Sequence, residues 1–553
     1  MNTQSRPSAR PRTRRRRVLD GATDRIFKLP PGEREYTVTD GVPVPMRDGV
    51  QLLTDIYTPV GPPSGTLLIR TPYGRSSLIS SLTARSYAAH GYRVVNQSCR
   101  GTFGSGGDFE PFRHEIDDGA DTVAWLRTQP WFDGRFALCG ASYLGYTAWA
   151  IMVDPPPELA CAVIAVTAHD NHWVAHGGGA FSLEQLLSLF DGFGHIEGGM
   201  VGGLLRGVTA RRRLRPGFEE LPLVDAEETV LAGSTMPYRA WLTAADPEDP
   251  VWQPMRLTQA LERVSVPVLL QEGWQDRFVA QMIEQYACLR RRGVEVGLTI
   301  GPWTHVEVAT KGLGVVTQDA LDWLAEHLAR TESGRRSSPV RLYVTGAEEW
   351  RELPDWPPPA TERVLYLQAH GELGENPPDS AVGPSMFTYD PTNPTPAVGG
   401  QVINPAIGGR RDNRKLDQRV DVLTFTGPPL SEPLEVIGTP YVELVHHSTN
   451  PYADLFVRLC EVQPSGRSIN LSDGFRRLTP GNADGLVRIE LDALAHRFVP
   501  GTRIRLQISG GAHPRYARNL GTDEDPATGT RLVPSHRTIS HGDGGCSRVI
   551  LPS

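Results

Sequence analysis

The fold is decided by residues 135–152, which read RFALCGASYLGYTAWAIM. The apolar run at 135–139 predicts a buried strand, and the residues after Gly145 have the composition of a helix. Between the two, Ser142 stands among small residues, which is typical of the strand–turn–helix nucleophile elbow of serine hydrolases. Leu144 occupies the place of the last glycine in the usual G-x-S-x-G pattern. The stretch therefore predicts a strand that presents a nucleophilic serine.

Length and composition narrow the class of protein. The 553 residues are enough for two or three domains, and 39% hydrophobic with 22% charged residues is typical of a globular protein. No 18 consecutive residues are apolar, so we expect no transmembrane helix and no membrane partner. Six scattered cysteines without a CxxC pair indicate reduced thiols in a cytoplasmic protein. No metal and no cofactor is expected.

The N-terminus differs from the rest of the chain in charge. Residues 6–17 hold seven arginines and no acidic residue, which leaves a net charge of −14 for the remainder of a chain whose total is −7. A twin-arginine export signal would need an apolar stretch next, and the sequence is polar from 18 onward. A nucleic-acid arm would need a basic, aromatic-bearing domain behind it. We therefore predict a disordered basic tail at 1–34 and no nucleic-acid partner.

Residues 35–167 alternate between predicted strands and helices. Two antiparallel edge strands at 36–57 come first, and helices predicted at 78–90 and 118–129 separate the strands that follow. The same alternation resumes at 255–335. This order predicts an α/β fold with a doubly wound sheet.

Two further regions complete the chain. Residues 168–254, with glycines at 177–179 and a basic run at 211–213, predict a helical insertion over the carboxyl edge of the sheet, hereafter the cap. Residues 336–553 hold short alternating strands without intervening helices, which predicts an all-β sandwich or jelly-roll domain. We expect that domain to pack on the core and help wall the pocket, or to supply the surface of a homodimer.

Three residues have the order needed for serine chemistry. A serine attacks a carbonyl at neutral pH when a base takes its proton and an acid orients that base. Ser142, Asp276 and His305 follow predicted strands in the chain order of an α/β-hydrolase, serine, acid, histidine. Glu272 is a second candidate for the acid. It falls at the end of the predicted strand, so we expect its side chain to point elsewhere.

Longer motifs surround these three residues. They are MRDGV (46–50), RTPYG (70–74), RG (100–101), GASYLG (140–145), GWQD (273–276), GPWTH (301–305) and PRYARN (514–519). Together they resemble the cocaine esterase / X-prolyl dipeptidyl-peptidase family of α/β-hydrolases, over roughly residues 36 to 545. The resemblance implies a hydrolase core, a helical cap and a jelly roll, with no cofactor or metal.

The resemblance also implies roles for individual residues. Ser142 would be the nucleophile, His305 the general base and Asp276 its partner. The Tyr73 hydroxyl and the Tyr143 backbone N–H would form the oxyanion hole. The late glycine of the elbow is then a feature of the family variant.

Candidate pocket residues come from two places. His172, Trp173 and His176 lie just beyond the sheet and could line the acyl pocket, with packing inside the cap as the alternative. Phe278 follows Asp276 by two residues, and we expect its loop to face Ser142.

The substrate follows from the charges of the cap. The family divides among ester hydrolases, acylases of amino-acid esters and amides, and X-Pro peptidases, and a dipeptidyl-peptidase has to bind a free amino terminus with a buried carboxylate. The cap acids resemble solvated helix faces (Glu184, Asp191, Asp225 and Glu227). We therefore expect a small-molecule ester as substrate, and a short X-Pro peptide as the alternative.

Two other functions stay open on the sequence. Exclusion of water would convert the same site into an acyltransferase. A non-catalytic protein, in which the β-rich region grips a carbohydrate or a partner, is a hypothesis of a different class, and the intact set of three residues argues against it.

Overall fold

The centre of the structure is a sheet of eleven strands, seen in a computed structural model that describes residues 9–11, 14–331, 336–379, 383–542 and 545–553. Its strands are β1 (Ala9–Pro11), β2 (Tyr36–Pro45), β3 (Gln51–Pro59), β4 (Thr66–Thr71), β5 (Arg93–Ser98), β6 (Phe136–Ala141), β7 (Leu159–Ala165), β8 (Val268–Gln275), β9 (Val296–Thr304), β10 (Val340–Val344) and β11 (Glu349–Leu353). They lie in the order β1-β2-β3-β5-β4-β6-β7-β8-β9-β10-β11. The strands from β5 to β10 in this order are parallel, and the outer strands are antiparallel.

Helices cover both faces of this sheet. They are α1 (Arg14–Ile26), α2 (Leu78–Ala89), α3 (Glu115–Arg127), α4 (Tyr143–Ile151), α5 (Asn171–His176), α6 (Leu183–Phe193), α7 (Gly199–Glu219), α8 (Ala226–Val230), α9 (Tyr238–Thr243), α10 (Thr258–Arg263), α11 (Val279–Arg291), α12 (His305–Val308) and α13 (Leu313–His327). All residues of β4 and β8 are buried, as expected for central parallel strands. None of the helices in the described ranges combines the length and apolarity needed to cross a bilayer.

The cap holds α5 to α9, inserted between β7 and β8. Its interior is aromatic: Trp241 and Trp252 are buried, and their ring centroids lie 5.0 Å apart. The same apolar cluster continues into the sheet through Leu138 and Ile164. Because cap and sheet share one core, the cap is held over the carboxyl ends of the strands. The predicted doubly wound sheet with a helical cap is confirmed.

Residues 362–553 form an antiparallel β domain. It contains β12 (Glu362–Leu367), β13 (Leu373–Gly374), β14 (Ser385–Tyr389), α14 (Arg414–Asp417), β15 (Val422–Thr426), β16 (Leu434–Gly438), β17 (Tyr441–Ser448), β18 (Ala453–Val462), β19 (Ser468–Leu478), β20 (Gly485–Glu490), β21 (Leu494–Phe498), β22 (Arg503–Ser509), β23 (Ser535–Ile539) and β24 (Arg548–Pro552). A seven-stranded and a four-stranded sheet contribute side chains to one apolar core. The predicted all-β character of this region is confirmed.

The first strands after residue 336 extend the central sheet. The sequence pattern predicts a β domain from residue 336 onward, and that boundary stays a prediction. In the structure β10 pairs in parallel with β9, and β11 closes the edge of the central sheet. Short alternating strands look alike in either context, because only the partner strand distinguishes them.

The predicted disordered tail also differs from the structure. Residues 1–8 and 12–13 lie outside the described part of the chain, but Arg14–Ile26 is helical. Arg85 of α2 is 7% exposed and lies 2.7 Å from Asp24 and 3.4 Å from Asp20. The sequence argument weighed the arginines of this segment and left out its two aspartates, which dock it on the core.

Removal of Arg85 should release this helix. Arg85→Ala removes the buried cation that lies beside Asp24 and Asp20, and we expect a loss of about 2 kcal/mol in the free energy of unfolding. Denaturant unfolding and limited proteolysis around residue 30 measure the two effects. Arg25→Ala, on the exposed side of the same helix, is the matched control and should leave both unchanged. Equal protease resistance of the two variants would contradict this role for Arg85.

Candidate active site

The turn between β6 and α4 holds Ser142 in a strained conformation, with φ +58° and ψ −125°. A non-glycine residue keeps a positive φ only where the surrounding structure imposes it. A Cβ on Gly140 would lie 2.2 Å from the Leu144 carbonyl oxygen, and a Cβ on Gly145 would lie 2.8 Å from Thr167 Cγ2. Strand and helix approach so closely that both positions require glycine, which is the physical reason for the late glycine of this elbow.

Three polar side chains meet where β6, β8 and β9 end. His305 Nε2 lies 3.0 Å from Ser142 Oγ, and His305 Nδ1 lies 2.7 Å from Asp276 Oδ2. Asp276 is fully buried and also accepts a hydrogen bond of 2.8 Å from the Phe278 backbone N–H. The structure thus brings together the three residues predicted as a triad. With Nδ1–H directed at Asp276, the Nε2 lone pair faces the serine proton.

A second carboxyl lies behind the triad. Glu272, expected to point elsewhere, is fully buried beside Asp276. Burial first, and the charge of Asp276 second, raise the pKa of Glu272 well above its usual value. Its Oε1 accepts a hydrogen bond from the Gly273 N–H at 2.8 Å. Burial beside Asp276 thus favours the neutral form of Glu272.

Tyr73 approaches the serine from the other side. Its hydroxyl lies near the Ser142 side chain, although 36% of the residue's surface is exposed. Burial of the hydroxyl end raises the pKa of Tyr73 to about 12. At neutral pH this hydroxyl is therefore a proton donor, as an oxyanion-hole group has to be.

Two hydrogen bonds of the Tyr143 hydroxyl fix the position of its backbone N–H. As the first residue of α4 it has a backbone N–H without an intrahelical acceptor. Its hydroxyl donates to Glu115 at 2.9 Å and accepts from the Phe112 N–H at 2.8 Å. Glu115 in turn pairs with the buried Arg70 at 2.7 Å. A buried ion pair therefore anchors the residue whose N–H lies next to Ser142.

The sequence argument missed this anchor. Glu115 and Arg70 lie in different elements, and no short motif links them to Tyr143. One signal was available, because Arg70 interrupts the apolar run of β4 and a buried arginine needs a partner. The argument also missed Phe193 of the cap, whose ring centroid lies 6.3 Å from that of Tyr73 and 5.8 Å from that of Tyr143.

Of the candidate pocket residues, two lie beside the triad. The Phe278 ring centroid is 5.5 Å from that of His305, edge to face. Phe278 packs in one apolar cluster with Trp173 of the cap and Ile403 of the β domain. The guanidinium of Arg277 covers the Trp173 ring at 4.5 Å. Side chains from core, cap and β domain thus form an apolar wall next to the histidine.

The two candidate histidines, His172 and His176, instead form hydrogen bonds within the cap. His172 Nε2 lies 2.9 Å from the Ala245 carbonyl oxygen, and its ring stacks on His176 and packs against Trp252. His176 Nε2 bonds the Trp241 carbonyl oxygen at 2.8 Å. The structure does not bring either ring to Ser142, which agrees with the alternative of cap packing.

The cap acids differ from the solvated faces predicted for them. Glu184 and Asp191 are each 4% exposed. Asp191 accepts hydrogen bonds from Arg206 at 3.0 Å and Arg213 at 2.5 Å. The cap is packed between the sheet and the β domain, so helix faces that resemble solvated ones are covered. Asp225 is exposed as expected.

Comparisons with known proteins agree with this geometry. Residues 48–307 match the family model of X-Pro dipeptidyl-peptidase (S15 family), and residues 333–550 match that of its C-terminal non-catalytic domain. The cocaine esterase of a Rhodococcus species is 30% identical, over 94% of this chain and 98% of the relative. The chain belongs to the cocaine esterase and X-Pro dipeptidyl-peptidase (S15) family. It is a hydrolase.

Solved structures show the same fold over nearly the whole chain. An α-amino acid ester hydrolase has a TM-score of 0.78 at 24% identity, with 94% of this chain and 96% of that one covered. An aminopeptidase from a marine sediment Thaumarchaeota archaeon has a TM-score of 0.77 at 23% identity, with 93% and 96% covered. The S15 fold of hydrolase core, cap and β domain is therefore common to all three chains.

Two tyrosine variants test the oxyanion hole. Tyr73→Phe removes a donor, and we expect kcat for an ester to fall by about 10²–10³ with KM little changed. Tyr143→Phe keeps the backbone N–H and loses the bond to Glu115, so the free energy of unfolding should fall by about 1–3 kcal/mol while kcat changes far less. Steady-state kinetics and denaturant unfolding measure the two effects. An unchanged kcat in Tyr73→Phe would remove this residue from the hole.

Two variants test the apolar wall. Phe278→Ala removes apolar surface beside His305 and should lower kcat/KM for a butyrate ester about tenfold, as expected for about 1.5 kcal/mol of lost contact. His172→Ala, in the neighbouring cap helix, should leave kcat/KM unchanged. The opposite ranking of the two variants would place the pocket on the His172 side of α5.

Proposed function

We propose that this protein hydrolyses carboxylic esters through an acyl-serine intermediate. The observation that carries the proposal is the hydrogen-bonded chain from Ser142 through His305 to Asp276. Serine acyl transfer requires a base that is oriented by an acid beside the serine, and the Tyr73 hydroxyl is the proposed oxyanion donor.

The proposed steps follow from the positions of the protons. His305 Nε2 takes the proton of Ser142 as Oγ attacks the ester carbonyl, and Asp276 stabilises the imidazolium through Nδ1–H. The Tyr73 hydroxyl and the Tyr143 N–H donate to the carbonyl oxygen as it becomes negative. His305 then gives its proton to the departing alkoxide, which leaves as the alcohol. In the second half His305 takes a proton from water, which attacks the acyl-serine. His305 then returns this proton to Ser142 Oγ as the carboxylic acid leaves.

Charges near the site favour an ester over an X-Pro peptide. A dipeptidyl-peptidase has to hold a free ammonium group, which needs a carboxylate that is not already paired. Asp191 is held by two arginines, and the neighbours of Glu184 include Arg515 and Arg211. Glu227 pairs with Arg239 at 3.2 Å. Each of these cap acids therefore has a cation beside it, which would repel an ammonium group.

The pocket wall supports the same conclusion. Phe278, Trp173 and Ile403 offer apolar surface beside His305, and such surface binds alkyl or aryl groups of an uncharged ester. We propose a small or medium carboxylic ester as substrate. The family model of X-Pro dipeptidyl-peptidase that matches residues 48–307 supports a short peptide, or an amino-acid ester or amide, as the second candidate.

Two properties of the whole protein are proposed with this function. The six cysteines are all free thiols in the structure, which supports a reducing compartment such as the cytoplasm. A homodimer stays a prediction, and light scattering of the full chain tests it.

A substrate comparison tests the proposal directly. Wild-type protein should turn over p-nitrophenyl butyrate much faster than Ala-Pro-p-nitroanilide, because the wall beside His305 is apolar and Glu184, Asp191 and Glu227 each have a cation beside them. Ser142→Ala should lose turnover of both substrates and keep its melting temperature. A larger kcat/KM on the anilide would replace the ester by the peptide as substrate.

The control uses covalent labelling. A fluorophosphonate probe should label wild-type protein at Ser142 and fail to label Ser142→Ala. Residual hydrolysis by unlabelled Ser142→Ala protein would contradict the acyl-serine mechanism itself, whichever substrate is preferred.

A further inference from the structure

A second cavity lies between the cap and the β domain, with a volume of about 740 Å³. Helices α6 and α7 form one wall, and residues 392–407 and 513–515 form the other. The charged side chains that line it are four arginines and two glutamates (Arg211, Arg212, Arg215, Arg515, Glu184 and Glu219). None of these residues belongs to the triad or to the oxyanion hole.

The two glutamates do not cancel this positive charge. Glu219 already pairs with Arg518 at 2.8 Å. Burial raises the pKa of Glu184 to about 7, so near neutral pH this carboxyl carries only part of a charge. The cavity therefore keeps a net positive lining.

Arg515 gives an independent sign that a ligand is missing. The residue is 7% exposed, and its Nη1 lies 2.6 Å from Asp473, a carboxylate shared with Arg458 at the same distance. Its Nε is buried without a hydrogen-bond partner among the described residues. Buried donors in folded proteins are almost always bonded, so this Nε–H needs an acceptor.

Two arginines of α7 face the same space. Arg212 and Arg215 are exposed, and no hydrogen bond or ion pair to another described residue is present for either. They lie three positions apart and so project from one side of the helix. Guanidinium groups that are free of protein carboxylates are available for bidentate bonds to a carboxylate or phosphate.

We propose that this cavity binds the anionic group, a carboxylate or a phosphate, of a small organic molecule through Arg212, Arg215 and Arg515. One short segment links the cavity to the active site. Val402 and Asn404 line the cavity, and Ile403 between them packs against Phe278 and Trp173. The anion is therefore either a charged part of the ester substrate that reaches past Ile403 or a separate small molecule bound next to the acyl pocket.

Calorimetric titration of the full-length protein with citrate, and separately with inorganic phosphate, tests the site without any turnover. Wild type should bind at least one of the two anions, and Arg212→Gln/Arg215→Gln should bind it about tenfold more weakly, since each charge-assisted bond contributes more than an ordinary hydrogen bond. Both arginines are exposed and have no ion pair with another described residue, so the variant should keep its melting temperature. Binding is measured here independently of catalysis, so its failure does not depend on the proposed esterase function.

A matched control removes two arginines elsewhere. Arg414 and Arg531 have exposed side chains outside the cavity, 52% and 58% accessible. Arg414→Gln/Arg531→Gln should bind the anion with wild-type affinity. Equal weakening in both double variants, or wild-type binding of citrate and phosphate no stronger than that of chloride at the same ionic strength, would overturn the site.

A kinetic arm identifies the source of the anion, and it rests on the proposed esterase function. The ester p-nitrophenyl succinate carries a free carboxylate, whereas p-nitrophenyl butyrate does not. If the site holds part of the substrate, Arg212→Gln/Arg215→Gln should lower kcat/KM for the succinate about tenfold and leave the butyrate unchanged. If the double variant changes kcat/KM for the succinate and the butyrate by the same factor, while wild type binds citrate, the cavity holds a separate ligand.

Discussion

The close approach of β6 and α4 is the constraint on which the site depends. A Cβ at Gly140 would clash with the Leu144 backbone of α4, and a Cβ at Gly145 would clash with Thr167 in the loop after β7. That approach holds Ser142 at a positive φ, and it places the N–H of Tyr143 at the start of a helix, where it has no intrahelical acceptor. The close packing around Gly140 and Gly145 holds the serine in this strained conformation.

Electrostatic stability at the site comes from buried charges that are kept in pairs or neutral. Glu115 forms an ion pair with Arg70 and accepts a hydrogen bond from the Tyr143 hydroxyl. Burial and the charge of Asp276 favour the neutral form of Glu272, which lies beside Asp276. An unpaired charge at either place would cost several kcal/mol, and the neighbouring catalytic group would have to move to compensate.

Local sequence signals were enough for the fold and for the residues that the structure joins at the serine. Ser142, Asp276 and His305 each follow a strand, and strand ends in a parallel sheet meet at one edge. Glu115, Glu272 and Phe193 could not be found in this way, because each acts through a neighbour distant in sequence or through burial. The same reason explains the burial of Glu184 and Asp191, which depends on how the cap is covered. It also explains the docking of α1, which depends on Arg85 of α2. The pairing of β10 with β9 likewise depends on a strand distant in sequence.

The core, the cap and the β domain contribute different groups where they meet. The core supplies the reacting groups, while the cap supplies the rings of Trp173 and Phe193. The β domain contributes Ile403 to the apolar wall and Arg515 to the positive cavity behind it. Apolar surface binds many esters weakly and with little selectivity, whereas a buried guanidinium without a full set of acceptors discriminates strongly between charged and uncharged partners. Selectivity in this hydrolase should therefore depend on the junction between cap and β domain more than on the groups that surround Ser142.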